Sequence, residues 1–162
     1  MSIVPTNMVE VSPQGIVSLR GAAAESPLFM LNDKQKRSIG IPLGRLESEL
    51  LQHTLGGNIE ELQSPQPYRA LLSCLDKMGV ALGAVHIHYN NEYDLPTHLI
   101  LRPKSGEDFE VAVPCSDGII YSKLRGVPIY IDEELMATIG TRQADGSPDI
   151  QNSAYTPQES DT

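Results

Sequence analysis

The repeat distance between apolar residues changes along the chain, and that change restricts the fold more than any other feature. Ile39, Ile41 and Leu43 alternate with small or polar residues, the period of a strand with one buried face. After Arg45 the leucines recur at three to five residues (Leu46, Leu50, then Leu51 or Leu55), which predicts a helix ended by Gly56-Gly57. Tyr68, Leu71, Leu72, Leu75 and Met78 repeat at i, i+3, i+4 and i+7 behind the proline pair of Ser64-Pro65-Gln66-Pro67. This predicts a second amphipathic helix, closed by Gly79. Strand-like runs return over Ala84 to Tyr93, Thr97 to Leu101 and Phe109 to Val113, joined at Asn90-Asn91 and Lys104-Ser105-Gly106.

The N-terminal part carries the same strand signals. Met8, Val9 and Val11 suggest one strand and Gly15 to Arg20 another, with a turn from Gly21 to Ser26. Pro27 to Leu31 is a short apolar run, and Asn32-Asp33 turns it into Ser38 to Leu43. Near the other end, Ser116 is placed to cap a helix over Asp117 to Arg125, with Gly126 ending it. Val127 to Ile131 reads as a short strand. Asp132-Glu133-Glu134 then opens a last helix, Asp132 as its cap.

Strands, two helices, strands, helix, strand and helix in that order describe an α+β fold. The expectation is antiparallel or mixed sheet from two β-meanders with three to four helices. Residues 1–140 form one domain. Residues 141–162, rich in Asp, Ser, Gln, Pro and Thr without periodicity, read as a disordered acidic tail.

Lys and Arg number 12 against 21 Asp and Glu, a formal charge of −9. Such a surface repels phosphate backbones and anionic membranes, which argues against a general nucleic-acid coat. Cys74 and Cys115 lack metal or redox spacing and read as reduced thiols. With no signal-like start and no apolar run near the roughly 20 residues a membrane span needs, the expected location is cytoplasmic.

Four segments carry a resemblance. Ile41-Pro42-Leu43-Gly44 followed by Glu47 is similar to the strand and "G-x-x-E" helix start of the bifunctional nuclease domain family. Pro65-Gln66-Pro67 is similar to its "P-R-P" helix entrance. Glu110 to Asp117 resembles its "E-V-D-A-R-P-S-D" segment, and Gly126 to Glu134 its "G-A-P-I-Y-V-D-E-E" segment. The segments come in family order over roughly residues 10 to 140. The resemblance implies an α+β fold, cleavage of DNA and RNA, and a homodimer; phosphodiester chemistry of that kind often calls on a divalent metal. Family members usually carry an Asp and an Arg where this chain has Ala112 and Pro114. They also carry an Arg at Gln66 and a His-Asp pair at Ala70 and Leu71. The substitutions leave a second reading open: a non-catalytic dimeric module that binds a protein or a ligand.

Catalytic candidates are therefore Asp117, Ser116 and Glu47. Asp117 would serve as metal ligand or general base and Ser116 would hold substrate; capping and helix-dipole chemistry account for the same residues. Lys34, Lys36 and Arg37 are the dense basic cluster, either a phosphate contact or a solvated turn. His86 and His88 share one face of a strand and His98 comes from the next. Together they form a candidate metal site or a polar solvent face. Cys115, beside a helix start, is either a reactive thiol or a small filler.

Overall fold

The computed structural model of the protein describes residues 5–19, 26–43, 48, 66–90 and 95–142. Their strands are β1 (Met8–Leu19), β2 (Ser26–Asp33), β3 (Arg37–Pro42), β4 (Val80–Ile87), β5 (Thr97–Pro103), β6 (Phe109–Val113), β7 (Ile129–Asp132) and β8 (Thr141–Arg142). The helices among the described residues are α1 (Gln66–Met78), α2 (Cys115–Arg125) and α3 (Glu133–Ile139). The helix expected after Arg45 is described only at Ser48, a buried helical residue. Glu47 and residues 143–162 lie outside the described residues.

Both expected meanders form, and they join into one eight-stranded sheet of order β6-β5-β4-β7-β1-β2-β3-β8. β1, β2 and β3 pair antiparallel, as do β4, β5 and β6. β7 sits between the meanders, antiparallel to β1 and parallel to β4, with Val85 opposite Ile129 and Ile87 opposite Ile131. The two N-terminal strands read from the sequence are one strand whose register slips between Pro13 and Gly15. A proline has no ladder N–H to give, and a slip there leaves no bond unmade. Thr141 and Arg142, within the stretch read as tail, pair with Ser38 and Arg37 at the edge of the sheet.

Alternation divides the sheet into two faces. Val11, Phe29, Leu31, Ile39, Ile41, Val85, Ile87, Leu99, Leu101, Ile129 and Ile131 point to one core, completed by Leu72 and Leu75 of α1, Ile119 and Ile120 of α2, and Leu135 and Met136 of α3. The other face holds a smaller cluster of Met8, Ala84, Ile100 and Tyr130. α1 buries less than its periodicity suggests. Leu72 and Leu75 are in the core, whereas Leu71 is 38% and Met78 73% exposed, at the rim of the stripe.

α2 lies unusually close to the sheet because of one glycine. A Cβ on Gly118 would stand 2.7 Å from Thr97 Cγ2 and 3.0 Å from Val85 Cγ1. The helix ends as expected at Gly126, at φ 63°, whose left-handed backbone suits a residue without Cβ. No helix among the described residues is long and apolar enough to cross a membrane.

Candidate functional site

An open cleft of about 470 Å³ lies where the end of β3 meets the β5–β6 arm. Ile41 and Pro42 form one wall; Leu95 to His98 and Ala112 to Cys115 form the rest. Among the described residues, no Asp, Glu, Lys or Arg lines it. The lining combines sequence-distant segments because β3 and β6 are near opposite edges of a sheet that folds around one core.

Of the predicted catalytic residues, Ser116 and Asp117 directly follow the lining residue Cys115 and are not in the lining themselves, while Glu47 lies outside the described residues. α2 begins at Cys115 with Pro114 in the cap position (φ −58°, ψ 147°), and no side chain caps it. Ser116 is therefore not the cap expected from the sequence. The fixed φ of Pro114 starts the helix two residues earlier than Asp117, so Ser116 falls inside the first turn and is buried. Asp117 is in the first turn as expected, and the hydroxyl of Tyr68 donates to its Oδ1 at 2.6 Å. Tyr68 stacks edge-on with Tyr121 at 5.2 Å between ring centroids. Burial, and then the neighbouring Asp117, push the Tyr121 phenol above its ordinary value. Sequence reasoning missed Tyr68 as the partner of Asp117. As the first residue of a helical stripe it carries no local sign of a polar task.

The histidines gather on the face opposite the main core. His86 pairs in register with His98, and the rings of His88 and His98 are 5.2 Å apart. The tightest donor group comprises His86, His88 and Glu110, whose donor atoms all lie within 4.8 Å of one another. The geometry thus puts Glu110 of β6 in the place expected for His98. Glu110 was legible only as part of a motif, because its approach depends on the register of three strands. Nε2 of His86 and Nδ1 of His98 are buried without a hydrogen-bond partner. Burial, and next the neighbouring His88, hold the His86 imidazole below its ordinary pKa, so it is neutral at pH 7. Asp132 is at the cap position of α3 but caps nothing with its side chain. Its Oδ2 instead accepts the Tyr89 N–H at 2.7 Å, and its Oδ1 lies 3.6 Å from His88 Nδ1.

The basic cluster separates. Lys34 and Lys36 are exposed on the β2–β3 turn, whereas Arg37 is buried. Its Nε donates to Asp33 Oδ2 at 2.7 Å, and its Nη1 and Nη2 donate to Glu133 Oε1 and Oε2 at 2.7 and 2.8 Å. The Glu133 hydrogen bonds raise the guanidinium pKa further above its ordinary value. A guanidinium engaged on both sides has little left to offer a phosphate.

The sequence model of the bifunctional nuclease domain matches residues 28–144. No curated protein matches the chain. Within the matched span, the first and third of the four segments noted in the sequence share the walls of the cleft, and the second touches the third through Tyr68 and Asp117.

Proposed function

The chain belongs to the bifunctional nuclease domain family, and on that premise we propose that it keeps the family's cleft as a binding site while retaining little power to cleave phosphodiester bonds. One observation carries this reading. Ala112 and Pro114, where the family resemblance calls for an Asp and an Arg, both line the cleft. Cleavage of a phosphodiester needs a group to activate water and positive charge to stabilise the developing oxyanion. Removing a single stabilising donor of this kind costs on the order of 10²–10³ in rate. Here two such positions are apolar, and among the described residues no Lys or Arg replaces them in the lining, whose one imidazole is His98. The space falls in the usual range for small-ligand sites, roughly 300–1,000 Å³. With Ile41, Pro42, Pro96, Ala112 and Pro114 facing it, it suits a small, uncharged, mainly apolar ligand.

A second reading, slow hydrolysis of DNA or RNA, is favoured by the hydrogen bond that orients Asp117. Incubating the full chain with single-stranded DNA and RNA, with and without magnesium or manganese, separates the two. The binding reading expects no cleavage beyond that of an Asp117→Ala control. It also expects an environment-sensitive anilinonaphthalene dye to bind the parent and to be lost from the Ala112→Asp, Pro114→Arg double variant. Metal-dependent cleavage that disappears in Asp117→Ala would establish the hydrolase instead.

The homodimer belongs to the same proposal. β6 is an edge strand, and it exposes Phe109 (44%) and Val111 (38%), a surface that a second copy can pair with. Sedimentation of the parent beside Val111→Lys tests this: a monomer in both sinks it.

A further inference from the structure

The face of the sheet opposite the main core holds a group of polar side chains that meets the cleft only at His98. Strand alternation puts His86 on this face, and His88 follows one residue beyond the strand. Register then brings the next two strands alongside: His86 opposite His98, His98 opposite Ala112, and Ile100 opposite Glu110. Two imidazoles and a carboxylate converge, with donor atoms no more than 4.8 Å apart. Tetrahedral zinc, with Zn–N bonds of about 2.0–2.1 Å, would need its donors about 3.4 Å apart. Rotations of these side chains would have to close the difference, and the exposed Glu110 has room to turn.

Two further observations point to a ligand. The buried Nε2 of His86 has no hydrogen-bond partner, nor has the buried Nδ1 of His98. Native proteins satisfy the large majority of buried side-chain polar atoms, and the exceptions call for an explanation such as a missing ion. Asp132 is also held beside His88 by the Tyr89 N–H, with its other oxygen 3.6 Å from His88 Nδ1. A carboxylate behind an imidazole is the usual way in which a metal-binding histidine is oriented.

We propose that His86, His88 and Glu110 bind a divalent transition-metal ion, zinc in the first instance, with Asp132 as a positioning residue and one coordination position left for water. Two imidazoles and one carboxylate form a donor set that zinc accepts in three-ligand sites, and one that magnesium and calcium, which prefer all-oxygen shells, do not. The site is separate from the reading of the cleft and stands or falls without it.

The test is titration of the metal-free full chain with zinc against a chromophoric chelator. The expected result is one ion per chain, bound at least tenfold more weakly by Glu110→Gln and by His88→Ala. Asp132→Asn should weaken binding by roughly 10–100-fold. His53→Ala and Cys74→Ser, which alter the remaining histidine and the exposed thiol, should leave it unchanged. Zinc should also raise the thermal midpoint of the parent and not that of Glu110→Gln. Glu110 is exposed on an edge strand, so that variant answers the question even if His88→Ala fails to fold. Failure of the parent to compete for zinc overturns the proposal. So does affinity that Glu110→Gln leaves unchanged, or affinity that is lost with Cys74→Ser.

Discussion

Two groups of polar side chains, one on each side of the sheet, are satisfied to different extents. On the helix-covered side, Arg37 is buried and every arm of its guanidinium is engaged: Nε by Asp33, both terminal nitrogens by Glu133. Tyr68 there finds Asp117, and the Ser122 hydroxyl donates to the Val127 carbonyl at 2.6 Å. On the other side, His86 and His98 each keep a buried nitrogen without a partner. A buried polar atom that is paired holds the structure in one arrangement; one that is not weakens it and gains its value only from something that binds. The contrast fits the first set to architecture and is what the proposed metal site would explain for His86 in the second.

Breaking the architectural side should have the largest effect. Arg37→Ala leaves Asp33, whose side chain is 3% exposed, without its cation. Loss of one partner from a buried ion pair costs about 3–5 kcal/mol, to be read as a lower urea midpoint. A loss below about 1 kcal/mol would reduce the network to surface decoration. The same residue leaves a mark in pH. Hydrogen bonds from Arg37 hold Glu133 below its ordinary value of 4.5. Its contribution is therefore present above about pH 4.5 and is lost as pH falls through the lower folded-state value. Arg37→Ala should flatten that acid limb of the stability curve.

Gly118→Ala comes next. It sets a methyl against Thr97 and Val85, and overpacking of about 1–3 kcal/mol is partly offset by about 1 kcal/mol of helix propensity. The net loss should be about 0–2 kcal/mol in chemical denaturation. Tyr68→Phe removes the 2.6 Å bond to Asp117 and should cost about 1 kcal/mol. A double-mutant cycle with Asp117→Asn would assign that cost to the pair. The smallest effect is expected on the other face. His86→Leu should change stability by less than about 0.5 kcal/mol in metal-free buffer, because it deletes an unsatisfied atom and keeps an apolar body. A loss approaching that of Arg37→Ala would erase the contrast and make the imidazole structural.

Much of the framework was legible without coordinates. Alternation at Ile39, Ile41 and Leu43, helical spacing at Tyr68, Leu72 and Leu75, and glycine after Arg125 each report a local preference of backbone or side chain, and each appears where expected. Two local signals misled. Ser116 and Asp132 have the residue types of helix caps, yet a proline displaced the first, and a backbone N–H from Tyr89 drew the second away. Capping chemistry is short in range, and a competing partner from another element defeats it. The site was less legible than the frame. The imidazole pair follows from alternation alone, but Glu110 arrives through the registers of β4 with β5 and of β5 with β6.

What the chain settles by itself is the kind of each element and the membership of the two meanders, since hydrophobic period, turn residues and helix stops act over a few positions. Folding in three dimensions decided that β7 enters between the meanders parallel to β4, that Arg37 meets Glu133 across 96 residues, and that Ile41 and Pro42 share a cleft with Ala112 and Pro114. Those outcomes rest on strand register and on which partner satisfies a buried group, and both are set by contacts among residues far apart in the chain.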